Sequence, residues 1–236
     1  MKPTIRNSDR FLTAFNRIEQ SLKDIVDSKE YMPFFKLIDN AKRKNAVIRR
    51  YEDDLREYAD LRNAIVHHRT STEFTIAEPH DQVVAFIEKI DETLSTPMTV
   101  GEMFKRNVQV FQVTDTLSQA LQVIRDRHFT QLPVYDGDTF KGLLTSVGVT
   151  MWLASTVEKE VISREMTTLG EMLNHEVSEK NHRFIPKETS IYEAEEIFKQ
   201  ALAKGIRLEA LLITDTVLLV GIITPLDLIK IESKKE

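Results

Sequence analysis

The second half of this chain repeats itself, and that repeat limits the possible folds more than any other feature. TVGEM at 99–103 is echoed by TLGEM at 168–172, Leu117-Ser-Gln-Ala by Ile191-Tyr-Glu-Ala, and GLLT at 142–145 by GIIT at 221–224. In the first copy, residues 108–113 read as a strand and residues 117–128 as an amphipathic helix. Short strands at 132–135 and 141–145 flank the turn DGD at 136–138, and another helix then begins. A β-α-β-β-α unit of this size cannot bury both faces of its sheet alone, so the two copies are expected to pack as one body.

The first 95 residues follow a helical pattern. Phe11, Phe15, Ile18, Leu22, Ile25 and Val26 fall at three- and four-residue spacings behind Ser8, a candidate N-cap. A second apolar helix is expected over about 31–44. A third is expected over about 45–68, with Ile48, Tyr51, Leu55, Tyr58, Leu61 and Ile65 turned inward. After the loop RTSTEFTIAEP, whose residues 73–77 carry the only strand-like pattern here, a fourth helix holds Val83, Phe86, Ile87, Ile90 and Leu94. The expected fold class is α plus α/β: an N-terminal four-helix bundle over 1–95, then repeats over 97–160 and 161–236, with 95–98 as a short linker.

Composition narrows the functions. The 236 residues include no Cys, which excludes a disulfide framework, a thiolate metal site and a Cys nucleophile. His128, His175 and His182 show no metal-ligand spacing, so no metal is expected. Every apolar run is interrupted well before a membrane span, and the N-terminus lacks a signal-peptide core; a cytoplasmic protein with no membrane partner is the expectation. Residues 1–95 hold 16 Lys and Arg against 17 Asp and Glu, and the remainder 16 against 20, so neither part is a bulk polyanion binder. A local basic stretch, Lys42, Arg43, Lys44, Arg49 and Arg50, reads either as a nucleic-acid patch or as a solvated helix corner. Trp152 is expected between the repeats, and Met98, Met103 and Met172 as gap-fillers.

The stretches FTQLPVYDGDTFKGLLT (129–145) and LLITDTVLLVGIITPLDLI (211–229) resemble CBS domains, and the tandem resembles a Bateman module over about 97–234. In that family the strand-to-helix turn carries glycine, two apolar residues, a hydroxyl residue and, three positions on, an aspartate. The second copy matches in full with Gly221, Thr224 and Asp227; the first has Gly142 and Thr145, but Gly148 stands where the acid would be. The resemblance implies an adenine nucleotide (AMP, ADP or ATP) as regulatory ligand. Its phosphate would lie near Thr224 and the helix N-terminus, its ribose on Asp227, and its purine against Ile206 and Leu208 of a strand over 206–210. The same residues also read as an ordinary helix start: Thr224 as N-cap, Pro225 at N1 and Asp227 in the first turn.

Arg62-Asn63-Ala64-Ile65-Val66-His67, at the end of the third helix, resembles the signature of HEPN domains, a four-helix family that includes RNA-cleaving toxins. The resemblance covers about residues 5–95. It implies metal-independent ribonuclease chemistry with no catalytic cofactor: His67 as acid/base, Arg62 as the cation at the phosphorane, and a 2′,3′-cyclic phosphate product. Arg62 and His67 stand about 140° apart on an ideal helix, whereas Asn63 and His67 share a face. A homodimer through both helical and CBS regions would bring two motifs to one cleft. His68 and Arg69 are further phosphate contacts. His67 as a C-terminal cap, and Arg62 as the ion-pair partner of Asp60 or Glu57, are the plain alternatives. The leading expectation is a nucleotide-regulated ribonuclease acting on RNA. The rivals are a non-enzymatic sensor whose helical domain dimerises or docks, and an RNA-binding regulator without cleavage.

Overall fold

The structure, a computed structural model, describes residues 5–28, 30–67, 78–157, 163–164 and 166–232, with backbone alone at His67 and 230–232. The chain divides into two compact units, Met1–Met98 with Ser190–Glu193, and Thr99–Thr189 with Ala194–Glu236.

Five helices occupy the described part of the N-terminal region: α1 (Asn7–Val26), α2 (Phe34–Ala41), α3 (Ala46–Arg50), α4 (Glu52–His67) and α5 (Asp81–Ser95). Helix α1 packs on α2, α4 and α5, and its stripe of Phe11, Phe15, Ile18 and Leu22 is buried with Leu37, Ile38, Leu55, Ile87 and Ile90. The helix expected over 45–68 is therefore two helices. Asn45 accepts from the N–H groups of Val47 and Ile48 to start α3, which ends on Arg49 and Arg50; Glu52, Asp53 and Asp54 then open α4. Cations at a helix C-terminus beside acids at the next N-terminus favour a break at Tyr51. Ser8 is not the cap either: α1 begins at Asn7, and Ser8 is buried inside its first turn. The strand-like pattern at 73–77, and His68 and Arg69, lie outside the described residues.

The second unit runs α6 (Val100–Phe104), β1 (Phe111–Gln112), α7 (Leu117–Arg127), β2 (Gln131–Asp136), β3 (Thr139–Thr145) and α8 (Ser146–Ser155). It continues α9 (Leu169–Leu173), β4 (His182–Pro186), α10 (Ile191–Ala203), β5 (Ala210–Asp215), β6 (Leu218–Ile223) and α11 (Pro225–Glu232). Each half has a three-stranded sheet whose first strand pairs parallel and whose last pairs antiparallel with the middle one. Both middle strands are irregular at matching places, Val134/Tyr135 and Ile213/Thr214.

TVGEM and TLGEM are capping boxes: Thr99 with Glu102 starts α6, and Thr168 with Glu171 starts α9. Their glycines let each helix lie against the other half. Gly101 N–H donates to the Lys187 carbonyl (2.8 Å) and Gly170 N–H to that of Val113 (3.0 Å). A Cβ on Gly101 would crowd Lys187, and one on Gly170 would crowd Val113. Val100 N–H to Thr189 O and Leu169 N–H to Asp115 O, both 2.8 Å, complete the reciprocal clasp. Trp152 is buried in a cluster that draws Leu132 and Val134 from one half and Leu169 and Met172 from the other. Met172 is buried as a filler, whereas Met98 is exposed.

Candidate functional site

In both halves a threonine, the last residue of β3 or the one after β6, opens a helix, but the two openings differ. At Thr224 the backbone N–H (2.9 Å) and Oγ1 (2.8 Å) both donate to Asp227 Oδ2, so the acid folds back over its own helix start. That is helix-start chemistry, and it holds the carboxylate at the first turn of α11, where Pro225 has no N–H and Asp227 N–H donates to Thr224 O at 3.1 Å. From the first half, Arg106 reaches the same place. Its N–H donates to Val220 O (3.0 Å), its guanidinium donates to Ile222 O, and Nη2 stands 3.9 Å from Asp227 Oδ2. With Arg106 42% and Asp227 24% exposed, that ion pair is screened by solvent.

Gly221 stands where the chain itself comes close. A Cβ there would meet the Phe104 carbonyl oxygen at 2.7 Å and Ile213 at 2.8 Å. The glycine admits the backbone of 104–106, which bridges to β6 at Lys105 and Gly221. It thereby delivers Arg106, a residue that the strand-to-helix motif alone could not reveal. The only signal was its place directly after the repeated capping-box segment, and the second copy has no arginine at the matching position.

The expected purine walls lie elsewhere around α11. Residues 206–209 precede β5 instead of forming its strand: Glu209 N–H donates to Asn181 O (2.6 Å), and Arg207 pairs with Glu209. Ile206 and Leu208 line an apolar cleft of about 430 Å³ with Phe198, Leu202, Pro225 and Leu228. Thr224 instead lines a cavity of about 50 Å³ with Arg106, Asn107, Gln109, Phe129 and Ile222. The two cavities meet the chain at successive residues, Thr224 and Pro225, and Asp227 lines neither. Similarly, the strand read over 108–113 shrinks to Phe111–Gln112, and residues 107–109 line the Thr224 cavity.

On α4, Arg62 is half-buried and donates from Nη1 to Asn63 Oδ1 at 3.3 Å, and Asn63 is exposed. Among the described residues Arg62 has no carboxylate partner, so the reading that pairs it with Asp60 or Glu57 is not what the structure shows. The backbone of His67 ends the helix; its side chain lies outside the described residues. The basic corner is largely engaged: Lys42 and Arg56 bridge Asp39 and Glu52, and Arg49 donates to the Lys42 carbonyl. His182 is packed between Phe140 and Phe184, and burial holds its pKa below the ordinary value. Among the described residues no group of His, Asp and Glu could hold a metal, and no helix is long and apolar enough to cross a membrane.

Residues 100–154 match the CBS domain family. No curated protein matches the chain significantly. Solved structures resemble it over somewhat more than half its length. A CBS domain-containing protein from Kribbella flavida is 14% identical, with 58% of this chain and 98% of that one covered and a TM-score of 0.44. CBSX2 in complex with AMP is 18% identical, with 58% and 98% covered and a TM-score of 0.42. Hypoxic Response Protein I with two coordinated zinc ions is 21% identical, with 56% and 98% covered and a TM-score of 0.41. At such identities and scores the likeness says nothing of ligand or activity.

Proposed function

We propose that this protein is a regulatory sensor whose C-terminal unit is a pair of CBS repeats that binds an adenosine nucleotide at the start of α11, and whose N-terminal helical unit carries the output. The observation that carries this reading is the meeting of Thr224, Asp227 and Arg106. A hydroxyl suits a phosphate, a guanidinium neutralises it, and a carboxylate suits a ribose diol. The apolar cleft with Ile206, Leu208 and Pro225 offers a wall for a base next to them. The match of residues 100–154 to the CBS domain family is consistent with such a ligand. Calorimetry with AMP, ADP and ATP tests it. Asp227→Ala is expected to weaken binding by about 10- to 100-fold, the loss of hydrogen bonds to a charged acceptor. No binding of any of the three at millimolar concentration refutes the reading.

A second reading keeps the helical unit as a HEPN-like ribonuclease, active as a homodimer and gated by the nucleotide. It is favoured by Arg62, which lies beside Asn63 and has no carboxylate partner among the described residues. Labelled RNA incubated with the protein in EDTA tests it. His67→Ala should lower cleavage by about two to four orders of magnitude. The absence of cleavage, or cleavage undiminished in folded His67→Ala, leaves the sensor without this output.

A further inference from the structure

The first half lacks the acid of its strand-to-helix turn, yet its threonine is not left without one. Thr145 N–H donates to Glu176 Oε1 at 2.5 Å, and Thr145 Oγ1 to Glu176 Oε2 at 3.1 Å. These are the two bonds that Thr224 makes to Asp227 in the other half. Glu176 lies between α9 and β4, on the far side of the repeat boundary. Its second oxygen also accepts from Asn181 Nδ2 (3.1 Å), which is itself buried and bound to the Leu143 carbonyl (2.9 Å). Gly148 is what makes the room: a Cβ built there would overlap the Glu176 carboxylate. A side chain at 148 and this placement of Glu176 exclude each other.

We propose that Glu176 supplies in trans the carboxylate that Gly148 does not carry, and that by filling this turn it closes the first half to ligand, making the two halves unequal. In the second half Asp227 uses one oxygen for Thr224 and the other is unengaged among the described residues; in the first half both oxygens of Glu176 are engaged. The neighbouring segments differ in charge in the same sense. The second half's turn is approached by Arg106, which suits an anion, and the first half's by Glu176, which repels one. Glu176 is thus a specificity-determining residue that acts by exclusion, while the claim about ligand number rests on the nucleotide reading above.

The test is a mutant cycle of Gly148→Asp, Glu176→Ala and the double variant, read by melting temperature and by nucleotide stoichiometry. Each single variant should lower the melting temperature by about 4–8 °C, the first by displacing Glu176 and the second by leaving Thr145 without its acceptor. The double variant recreates the Thr-x-x-Asp arrangement in cis and should recover most of that loss. Additive losses, or a Glu176→Ala protein as stable as the parent, overturn the proposal. Should Gly148→Asp not fold, Glu176→Gln serves instead: its amide oxygen keeps one acceptor, so it should lose less than Glu176→Ala, and equal losses count against the proposal. The parent should bind one nucleotide per chain and the double variant two. A parent that binds two overturns the closure. If no variant binds nucleotide, the nucleotide reading fails while the melting cycle still decides the role of Glu176.

Discussion

Two hairpins in the C-terminal unit turn at matching positions, Gly137 and Thr216, both with a left-handed backbone at φ 59° and 57°. Glycine adopts this conformation freely, whereas a β-branched residue there is strained by about 1–2 kcal/mol. Thr216 is exposed and its turn needs no side chain. Thr216→Gly is therefore expected to stabilise the protein by about 0.5–1 kcal/mol in urea unfolding, part of the relief being offset by the freedom glycine adds to the unfolded chain. A loss of stability would show that Thr216 has a partner in solution. At this scale the sequence spoke unevenly. Gly221, Thr224 and Asp227 were legible because they lie within seven residues of one another. Arg106 and Glu176 were not, because each acts on a turn more than thirty residues away in the chain. The glycines were legible as a pattern but not in purpose: Gly221 makes room for the chain itself, and Gly148 for a carboxylate from the other half.

Local chemistry decides the elements more than periodicity does. Apolar spacing carried the helix pattern through Tyr51 without a break, since the inward stripe of Ile48, Tyr51 and Leu55 is continuous on both sides of it. The charge order Arg-Arg-Tyr-Glu-Asp-Asp marked the junction instead. One of these acids, Glu52, joins Asp39 in tying α2 to α4. Glu52 accepts from Lys42 at 2.8 Å and from Arg56 at 2.9 Å, and Asp39 accepts from Arg56 at 2.6 Å. The hydrogen bond from Lys42, then that from Arg56, holds the Glu52 carboxyl below its ordinary pKa, and the bond from Lys42 leads the same shift at Asp39. A carboxylate lowered on folding stabilises above its unfolded pKa of about 4, and that contribution is lost as pH falls through the folded value. Burial raises Asp54 and Asp91, which act in the opposite sense, so a variant is needed to isolate the network. Glu52→Gln should cost about 0.2–1 kcal/mol at pH 7 and flatten the stability loss between about pH 5 and 3. An unchanged acid limb would show that these pairs are fully screened.

In the C-terminal unit the two halves are joined by exchange. Each half's opening helix hydrogen-bonds to the residues after the other half's first strand, through Gly101 and Gly170, and each half's strand-to-helix turn is completed by a side chain from the other, Arg106 or Glu176. A ligand at the start of α11 would therefore touch both halves at once, which is how local binding could bias the arrangement of the whole unit. The repeat in the sequence pointed to two similar halves; it could not foretell that the copies differ in the residues they lend each other, Arg106 and Glu176. The central claim is that Arg106 from one half and Thr224 with Asp227 from the other form a single nucleotide site. Parallel titrations of the parent and of Arg106→Ala with AMP and with adenosine test it most directly. If the guanidinium neutralises the phosphate, the variant loses about tenfold or more of its AMP affinity and keeps its adenosine affinity. Equal losses for both ligands, or no loss for either, would contradict the site.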